Sequence, residues 1–483
     1  MEKMRVKYDW FLLVLLAIFL LILLGPGNWL LADTHYWQGD ETAVAMVDDF
    51  TPANVEVDDV FTLTSTAIDG STTTAISFTA TAATVANVTA GLTAAWNAST
   101  STLCTGATLA DNTTKVTLTS DTAGYPFSVT SSATDGGGTD DQTLTRAAVT
   151  ANDGPYNWDD TGNWTGGALP ATGDTAIFDG RATASALFGL DQTGVDLAAL
   201  TIRSSYTGSI GDNDADGSRS GPLIIECSGT VNVEGTGNYY IQCGNDAADA
   251  DIAALIINTA GTVGLSSQKN EAAGSVGEFT VVRVINTAAV VYIYGAADSA
   301  NTNAQSGTFV KTLWVVPERP TRTAASVTIG NLCYDQNEPE NMNIYHAAGN
   351  LTLYTQVDEI RQYGGIITMG GTGYDMGAND DGISSLVVHD GTFSWHPSDV
   401  SGSAMVKAAP GPVITSATIF GAATFDASGM LETDSSAPTI TNMYQYPGAT
   451  VELDNGYANF TLTNYYKYGG TLTTAPGQAV TLQ

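Results

Sequence analysis

The stretch ISSLVVHDGTFSW, Ile383–Trp395, decides the fold of this chain. An apolar strand that ends at Val388 runs into a turn at Gly391, and a second strand with Phe393 follows. The same pattern recurs with other residues at Leu197–Ile210, Ile252–Leu265, Val310–Val316, Ile414–Phe425, Ile440–Leu453 and Phe460–Leu472. A supersecondary unit that repeats every ~20–50 residues is typical of a solenoid.

The spacing of the repeats predicts how the coils follow one another. Repeats begin at residues 252, 279, 310, 383, 414 and 440, and are therefore separated by 27, 31, 73, 31 and 26 residues. The interval of 73 has room for further copies near Met342–Leu353 and Val357–Ile367. The chain is predicted to be mainly β, with a right-handed parallel β-helix (solenoid) of about eleven coils over residues 197–483. The apolar side chains predicted to point inward are Leu386, Val388, Ile414, Ile419, Ile440 and Leu453.

Composition excludes some classes of function. The 483 residues include 50 acidic and 16 basic side chains, which give a formal net charge of −34. Such a field repels phosphate backbones, so nucleic acid is not expected as a partner. Four cysteines are too few for a disulfide scaffold. Cys227 and Cys243 flank one possible coil turn, where they either form a bridge or remain buried thiols.

Residues 1–32 have the pattern of an export segment. Three basic residues precede an apolar run of 15 residues from Trp10 to Leu24. This run is short for a membrane span, which needs ~20 residues, so a signal peptide is predicted. Leu30 suits cleavage after Ala32 poorly, and an uncleaved N-terminal anchor is the alternative. Either way the rest of the chain is predicted to be extracellular or on the cell surface, with membrane contact only through this segment if it is retained.

Residues 33–150 are predicted to form a small α+β module of order ββαββ. Val60–Thr66 and Ala75–Thr81 alternate as strands of a hairpin. In Thr84–Asn97 the apolar residues fall on one helical face, with Thr84 as the N-cap. The later strands are predicted at Lys115–Thr119, Phe127–Ser131 and Gln142–Val149.

Residues 151–196 are predicted to cap the solenoid. Trp158 and Trp164 precede a Pro/Gly turn and a strand that ends at Phe178. An open-ended β-helix exposes apolar edges, so bulky aromatic rings are a suitable cover for them. The competing interpretation is a Trp pair that stacks on sugar rings.

This segment reads Trp-x5-Trp…Pro-x-x-Gly-Asp-x-Ala-x-Phe, followed by Leu-x-x-Leu-x-Ile coils. In this it resembles the corresponding segment of secreted autotransporter-type β-helix surface proteins, and of structural proteins of some bacteriophages. The stretch Val55–Thr130 is similar to a small module in the same kinds of protein. The resemblance covers residues 33–483, implies an exterior structural or adhesive role, and brings no catalytic residue with it. Phage virion proteins normally lack an export signal, so residues 1–32 favour a cellular surface protein.

β-Helices also host polysaccharide lyases and hydrolases, so an enzyme of this kind is a competing hypothesis. A hydrolase needs two or three carboxylates that converge on one groove. The candidate sets are Asp358 with Glu359, Asp380 with Asp381, and the run Asp335, Glu338 and Glu340. Adjacent acids in a strand point to opposite faces. The four histidines lack metal-ligand spacing, and no nucleophile elbow or phosphate loop occurs. No catalytic residue is predicted, and a polysaccharide-degrading enzyme is an alternative.

One stretch looks like a calcium site. Oxygen ligands stand at alternate positions, at Asp212, Asp214, Asp216 and Ser218. With Gly217 between the last two, they match the first half of a calcium loop. Position 12 of that loop is Leu223 where a Glu is expected, so the EF-hand is incomplete. Asp/Gly-rich stretches also suit solvated turns, and both a weak Ca²⁺ site and a plain turn are open.

Aromatic residues gather near the end of the chain and predict an interface. They are Tyr444, Tyr446, Tyr457, Phe460, Tyr465, Tyr466 and Tyr468. Tyr favours interfaces, and the alternative is a ladder that covers the last coil.

These patterns together predict an exported, non-catalytic structural or adhesive surface protein. Its solenoid would act as a rigid stalk, layer or filament subunit that associates with itself, a surface or a glycan. The alternative from another class is a phage tail, fibre or capsid-associated protein that binds a host glycan.

Overall fold

The computed structural model describes residues 33–67, 72–139, 141–211, 221–244, 251–267, 269–270, 275–286, 288–293, 309–316, 325–329, 342–353, 357–370, 382–396, 413–427, 439–453 and 461–474. The chain divides into two compact units, Met1–Asp33 and Thr34–Gln483. The predicted export segment lies outside the described residues. Within the described ranges, no helix is both long enough and apolar enough to cross a membrane.

The α+β module consists of two antiparallel sheets and a helix. One sheet has the order Ala107–Asp111, Val116–Ser120, Val47–Ala53 and Thr143–Thr150. The other has the order Thr73–Thr79, Val60–Thr66 and Ser128–Thr134. All three strands of the second sheet overlap strands that the sequence predicts. The first sheet contains two predicted strands and two that the sequence does not predict, Val47–Ala53 and Ala107–Asp111.

The helix Val85–Asn97 begins where the sequence predicts it. Thr84 is the N-cap, and its side chain accepts a hydrogen bond from the backbone N–H of Asn87 at 3.3 Å. This bond satisfies one of the free N–H groups of the first turn. Leu92 and Trp96 lie on the buried face of the helix, in the module's own apolar core. A short helix, Thr102–Thr105, follows.

The remaining strands form two parallel ladders, in which a strand pairs with the strands one coil before and one coil after it. Ladder A consists of Thr34–Tyr36, Thr175–Phe178, Asp191–Ile202, Leu223–Val233, Asp251–Ile257, Glu278–Val284, Phe309–Val315, Asn343–His346, Val357–Gln362, Gly382–Val388, Val413–Ile419, Thr439–Gln445 and Thr461–Lys467. Ladder B consists of Tyr239–Cys243, Thr262–Ser267, Val290–Ile293, Ser326–Ile329, Asn350–Leu353, Ile366–Gly370, Thr392–His396, Thr424–Asp426, Thr450–Leu453 and Thr471–Thr474. The first residues of Leu223–Val233 also pair with Tyr239–Cys243. The small elements are the antiparallel pair Lys269–Asn270 and Ser275–Val276, and the 3-10 helix Thr161–Asn163.

This long parallel sheet of more than 20 strands is consistent with a β-solenoid, and we call the two ladders the solenoid. The predicted repeat starts stand in register, as the pairs Ile252–Phe279, Phe279–Val310, Ile383–Ile414 and Ile414–Ile440. The two copies predicted in the interval of 73 residues form the strands Asn343–His346 and Val357–Gln362. The spacing of the repeats is therefore confirmed.

The inside of the solenoid is mainly apolar along its described length. In the parts of the chain that the structure describes, ladder A has eleven strands from Asp191 onward, in agreement with the predicted number of coils. The six side chains predicted to point inward are all 0% exposed: Leu386, Val388, Ile414, Ile419, Ile440 and Leu453. They belong to a continuous buried cluster that begins at Trp37 and reaches Tyr465.

The strand Thr34–Tyr36 pairs in ladder A, with Thr175–Phe178, although the sequence groups residues 33–150 together. The chain leaves this strand, forms the module and returns to the cap. Its outgoing and returning connections lie side by side, and the N–H of Val44 donates to the carbonyl of Asp153 at 2.8 Å. Because this pairing is between segments far apart in sequence, no local pattern indicates it.

Candidate functional site

The outer face of ladder A carries two columns of side chains that run from coil to coil, and we call them together the aromatic stripe. The strand column consists of Trp314, Tyr345, Arg361, Val387, Thr418, Tyr444 and Tyr466, which stand opposite one another in register. The turn column consists of the residues that directly follow the same strands: Val316, Ala347, Tyr363, His389, Phe420, Tyr446 and Tyr468.

Five consecutive rings of the turn column stack on one another. The centroids are 5.0 Å apart from Tyr363 to His389, and 5.1 Å apart from His389 to Phe420. They are 4.5 Å apart from Phe420 to Tyr446, and 5.0 Å apart from Tyr446 to Tyr468. These spacings are close to the ~4.8 Å between neighbouring strands, so each coil contributes one ring to the stack.

The strand column is stacked at its two ends. The rings of Trp314 and Tyr345 lie 4.1 Å apart at 12°, and those of Tyr444 and Tyr466 lie 4.8 Å apart at 10°. Although the rings cover one another, the stripe is open to solvent: Trp314 is 36% exposed, Tyr363 47% and Tyr468 58%. An exposed apolar surface that continues over several coils is a candidate interaction surface.

A backbone hydrogen bond to the previous coil and a glycine turn hold each ring of the turn column at the same place in its coil. The N–H of Tyr363 donates to the carbonyl of His346 one coil earlier at 2.7 Å, and that of Phe420 donates to Val388 at 2.9 Å. A glycine with positive φ follows within two residues, such as Gly365 at 75°. This turn redirects the chain into ladder B, so the ring stays on the outer corner of the coil.

The structure places only some residues of the predicted interface on the surface of the solenoid. Tyr444, Tyr446, Tyr466 and Tyr468 lie in the aromatic stripe. Tyr465 points inward, is 2% exposed and has its hydroxyl hydrogen-bonded to the Gln445 side chain. Tyr457 and Phe460 lie outside the described residues. The earlier rings of the stripe, in the coils from Trp314 to Phe420, are not part of the predicted interface.

The predicted calcium ligands Asp212, Asp214, Asp216 and Ser218 lie outside the described residues, so this site stays a prediction. Leu223, which occupies position 12 of the loop, is buried at 0% exposure in the core of the solenoid. Its burial agrees with its being an apolar strand residue rather than a ligand.

A cluster of three carboxylates lies where the connections of the module meet the cap. Ligand atoms of Glu41, Asp153 and Asp160 all lie within 4.8 Å of one another. A hydrogen bond between the side chains of Asp153 and Asp160, together with burial, raises the pKa of Asp153 to about 6. Acidic groups often approach in this way without an ion. Below about pH 6, a proton shared between Asp153 and Asp160 is sufficient to account for their contact.

Asp153→Asn is expected to stabilise the protein at pH 7.5 and to have little effect at pH 4. The folded-state pKa of Asp153, about 6, lies above its ordinary value of 3.8, so the folded chain holds this proton more tightly than the unfolded chain. The stabilisation from Asp153 is complete below about pH 4 and is lost as the pH rises through 6. The measurement is the difference in melting temperature between variant and wild type from pH 4 to 7.5, with a chelator present.

The control for this prediction is Asp40→Asn, which removes an exposed carboxylate from the same connection as Glu41. It is not expected to reproduce the pH-dependent difference. Identical melting of Asp153→Asn and wild type at every pH would contradict the shared proton.

The two Trp residues of the cap are core residues. Trp158 and Trp164 are each 1% exposed, and their rings meet edge to face at 4.6 Å. Trp164 also contacts Trp37 at 5.2 Å and Phe178 at 5.6 Å. Because the faces of these rings are covered by protein, they are not available to stack on a sugar.

Cys227 is a free thiol, which excludes a bridge to Cys243. Both side chains are buried in the solenoid, and Sγ of Cys243 donates to the carbonyl of Glu278 at 3.5 Å. Burial raises the pKa of Cys227 to about 11, so its thiol stays protonated and unreactive at neutral pH. Cys333 lies outside the described residues.

The candidate catalytic acids fall in two groups. Asp358 and Glu359 are half-buried in ladder A, and Glu359 accepts a hydrogen bond from Nε of Arg361 at 2.5 Å. The sets Asp380–Asp381 and 335–340 lie outside the described residues. Of the described histidines, His35 pairs with Asp174 at 3.2 Å, while His346 is buried.

The aromatic stripe is therefore the candidate functional site of the described residues. Neither a protein-family model, nor a curated protein, nor a solved structure matches this chain.

Proposed function

We propose that this chain is an exported, non-catalytic structural protein whose right-handed solenoid serves as a rigid stalk, layer or filament subunit. The observation that carries the proposal is the register of the two ladders, which repeats over eleven described strands of ladder A from Asp191 onward. A body built in this way transmits force along its axis, since every coil is hydrogen-bonded to the next.

Rigidity has three sources in this arrangement. Buried apolar columns such as Leu255, Val282 and Leu313 fill the interior, and all three are 0% exposed. The backbone groups of each strand bond the coils above and below it. Rings that stack outside the strands add contacts between the same coils. Bending the solenoid would have to break all three kinds of contact together.

The cap supports a structural role as well. The rings of Trp37, Trp158 and Trp164 are buried against one another. The N–H of Thr165 donates to the carbonyl of Tyr36, in the first strand Thr34–Tyr36, at 3.0 Å. This bond and the one that the N–H of Tyr36 donates to the Thr165 hydroxyl occupy backbone groups of Tyr36 on the edge of the first strand and so hinder the addition of other chains there. Export is supported by the apolar run from Trp10 to Leu24 and its basic flank.

Fractionation of the producing cells tests this proposal. We expect the protein on the cell surface, in extracellular filaments or in the medium, where protease added to intact cells reaches it. Recovery from the cytoplasm in a protease-protected form would overturn the proposed export. Recovery in virus particles would replace the cellular role with a virion role.

A further inference from the structure

We infer that the aromatic stripe is the surface through which a second copy of this chain docks, side by side along the solenoid axis. This inference rests on the proposed structural function and names the partner in it. Three properties of the stripe favour a second copy: the direction of its rings, its repeat and its charge.

The direction of the rings disfavours a glycan as the partner. Sugars bind aromatic residues by stacking on the face of a ring. In the turn column the faces are turned toward one another, at interplanar angles of 3° for Tyr363 and His389 and 5° for His389 and Phe420. Edges and hydroxyl groups are what the stripe presents along its length, and an incoming sugar ring has few free faces to cover.

The repeat of the stripe fits a partner with the same repeat. The ring centroids follow one another at 4.5 to 5.1 Å along the turn column. A second solenoid carries edges at the same spacing, so two stripes can meet coil by coil over their whole length. Tyr side chains lose little conformational entropy when they are ordered in such a contact, and their hydroxyls can form hydrogen bonds across it.

The charge of the stripe fits two strongly acidic bodies. The fourteen positions of its two columns hold no Asp or Glu, and they include Arg361, in a chain of net charge −34. Copies with this net charge repel one another, and the repulsion is weakest where a face carries no carboxylate. The carboxylates of Glu359 and Asp390 border the stripe and give it the polar rim of an interface.

The size of the stripe sets the expected strength of association. Seven strands of ladder A, from Phe309–Val315 to Thr461–Lys467, carry it. At ~4.8 Å per coil it is ~30 Å long and ~15 Å wide, so two copies would bury roughly 900 Å² in total. This area is below the ~1,200–2,000 Å² of stable complexes, so the pair is expected to associate weakly.

The test is sedimentation velocity of the full chain up to ~100 μM, as wild type, Thr418→Asp and Thr328→Asp. Thr418 lies half-buried in the middle of the strand column, and Thr328 lies half-buried on ladder B. We expect wild type and Thr328→Asp to associate equally and Thr418→Asp to associate at least ~10-fold more weakly, because like charges would meet at the contact. Raising NaCl from 0.15 to 0.5 M should strengthen association of the wild type, since salt screens the repulsion between copies.

A second pair of variants keeps the test independent of folding defects. Thr418→Cys is expected to form a disulfide-linked dimer under mild oxidation at least ~10-fold faster than Thr328→Cys. All variants carry the same apolar run at 10–24, so association through that run would be equal in all of them. A monomeric wild type, or equal behaviour of the paired variants, would overturn the inference. So would binding of a monomeric chain to a glycan array that Thr418→Asp abolishes. None of these results bears on whether the protein is exported.

Discussion

Gly391→Ala is expected to lower the free energy of unfolding of the solenoid by about 2–5 kcal/mol. Gly391 has a φ of 87°, a left-handed conformation in which an L side chain costs about 1–2 kcal/mol. A Cβ atom at this position would also overlap the carbonyl oxygen of Gly365, in the preceding coil. Because that oxygen belongs to the backbone, the coils would have to move apart, and overpacking of this kind costs about 1–3 kcal/mol.

The neighbouring turn supplies a matched control. Gly421 also has positive φ, at 53°, but a Cβ atom there would meet only the carbonyl oxygen of His389, at 3.6 Å. Gly421→Ala should therefore lower the free energy of unfolding by only about 1–2 kcal/mol, the cost of an L side chain in the left-handed conformation. Denaturant unfolding of both variants measures the difference. Equal losses would mean that the close approach of the two coils at Gly391 has no influence on stability.

The repeat could be predicted from the sequence because it is written into each coil. An apolar strand followed by a glycine turn recurs, and the structure places positive φ at Gly349, Gly365, Gly391, Gly448 and Gly470 in the corresponding turns. Strand alternation then decides which residues are buried. This reasoning needs only the period of the sequence and no knowledge of distant contacts.

The strand Val47–Ala53 could not be predicted in the same way. It contains Asp48, Asp49 and a proline, so no alternation of apolar and polar residues marks it. The strand is stabilised by distant bases, since Arg146 pairs with Asp48 at 2.6 Å and Lys115 pairs with Asp49 at 2.5 Å. Buried carboxylates of this kind become favourable only when their partners are in place.

Only part of the aromatic stripe is visible in the sequence. The tyrosines between 444 and 468 attract attention because they are close together in the chain. Tyr363, His389 and Phe420 are 26 and 31 residues apart, and only the register of the coils brings their rings into one stack. The sequence does contain a signal for these three rings, since each of them directly follows the first strand of a predicted repeat and precedes a glycine turn.

His346 is a polar residue in the apolar interior, one coil before Gln362, and both side chains are 0% exposed. Nδ1 of His346 lies 3.0 Å from the carbonyl oxygen of Gly364, and because a carbonyl only accepts, Nδ1 carries the proton. Nε2 then has no hydrogen-bond partner among the described residues. Protonation of Nε2 would place an uncompensated charge inside the solenoid, and burial accordingly lowers the pKa of His346 to about 4.

Acidification from pH 7 to pH 4 is therefore expected to lower the free energy of unfolding by about 3 kcal/mol through His346 alone. The folded-state pKa of about 4 lies below the ordinary value of 6.5, so the unfolded chain binds the proton first and stability falls as the pH drops from 6.5 to 4. His346→Gln keeps an amide that can donate to Gly364 and removes the titration, so this part of the loss should disappear. His389→Gln removes an exposed imidazole and leaves His346 in place, so the loss should remain. Denaturant unfolding of the three proteins at both pH values decides: an equal loss in wild type and His346→Gln would show that the buried imidazole does not control acid stability.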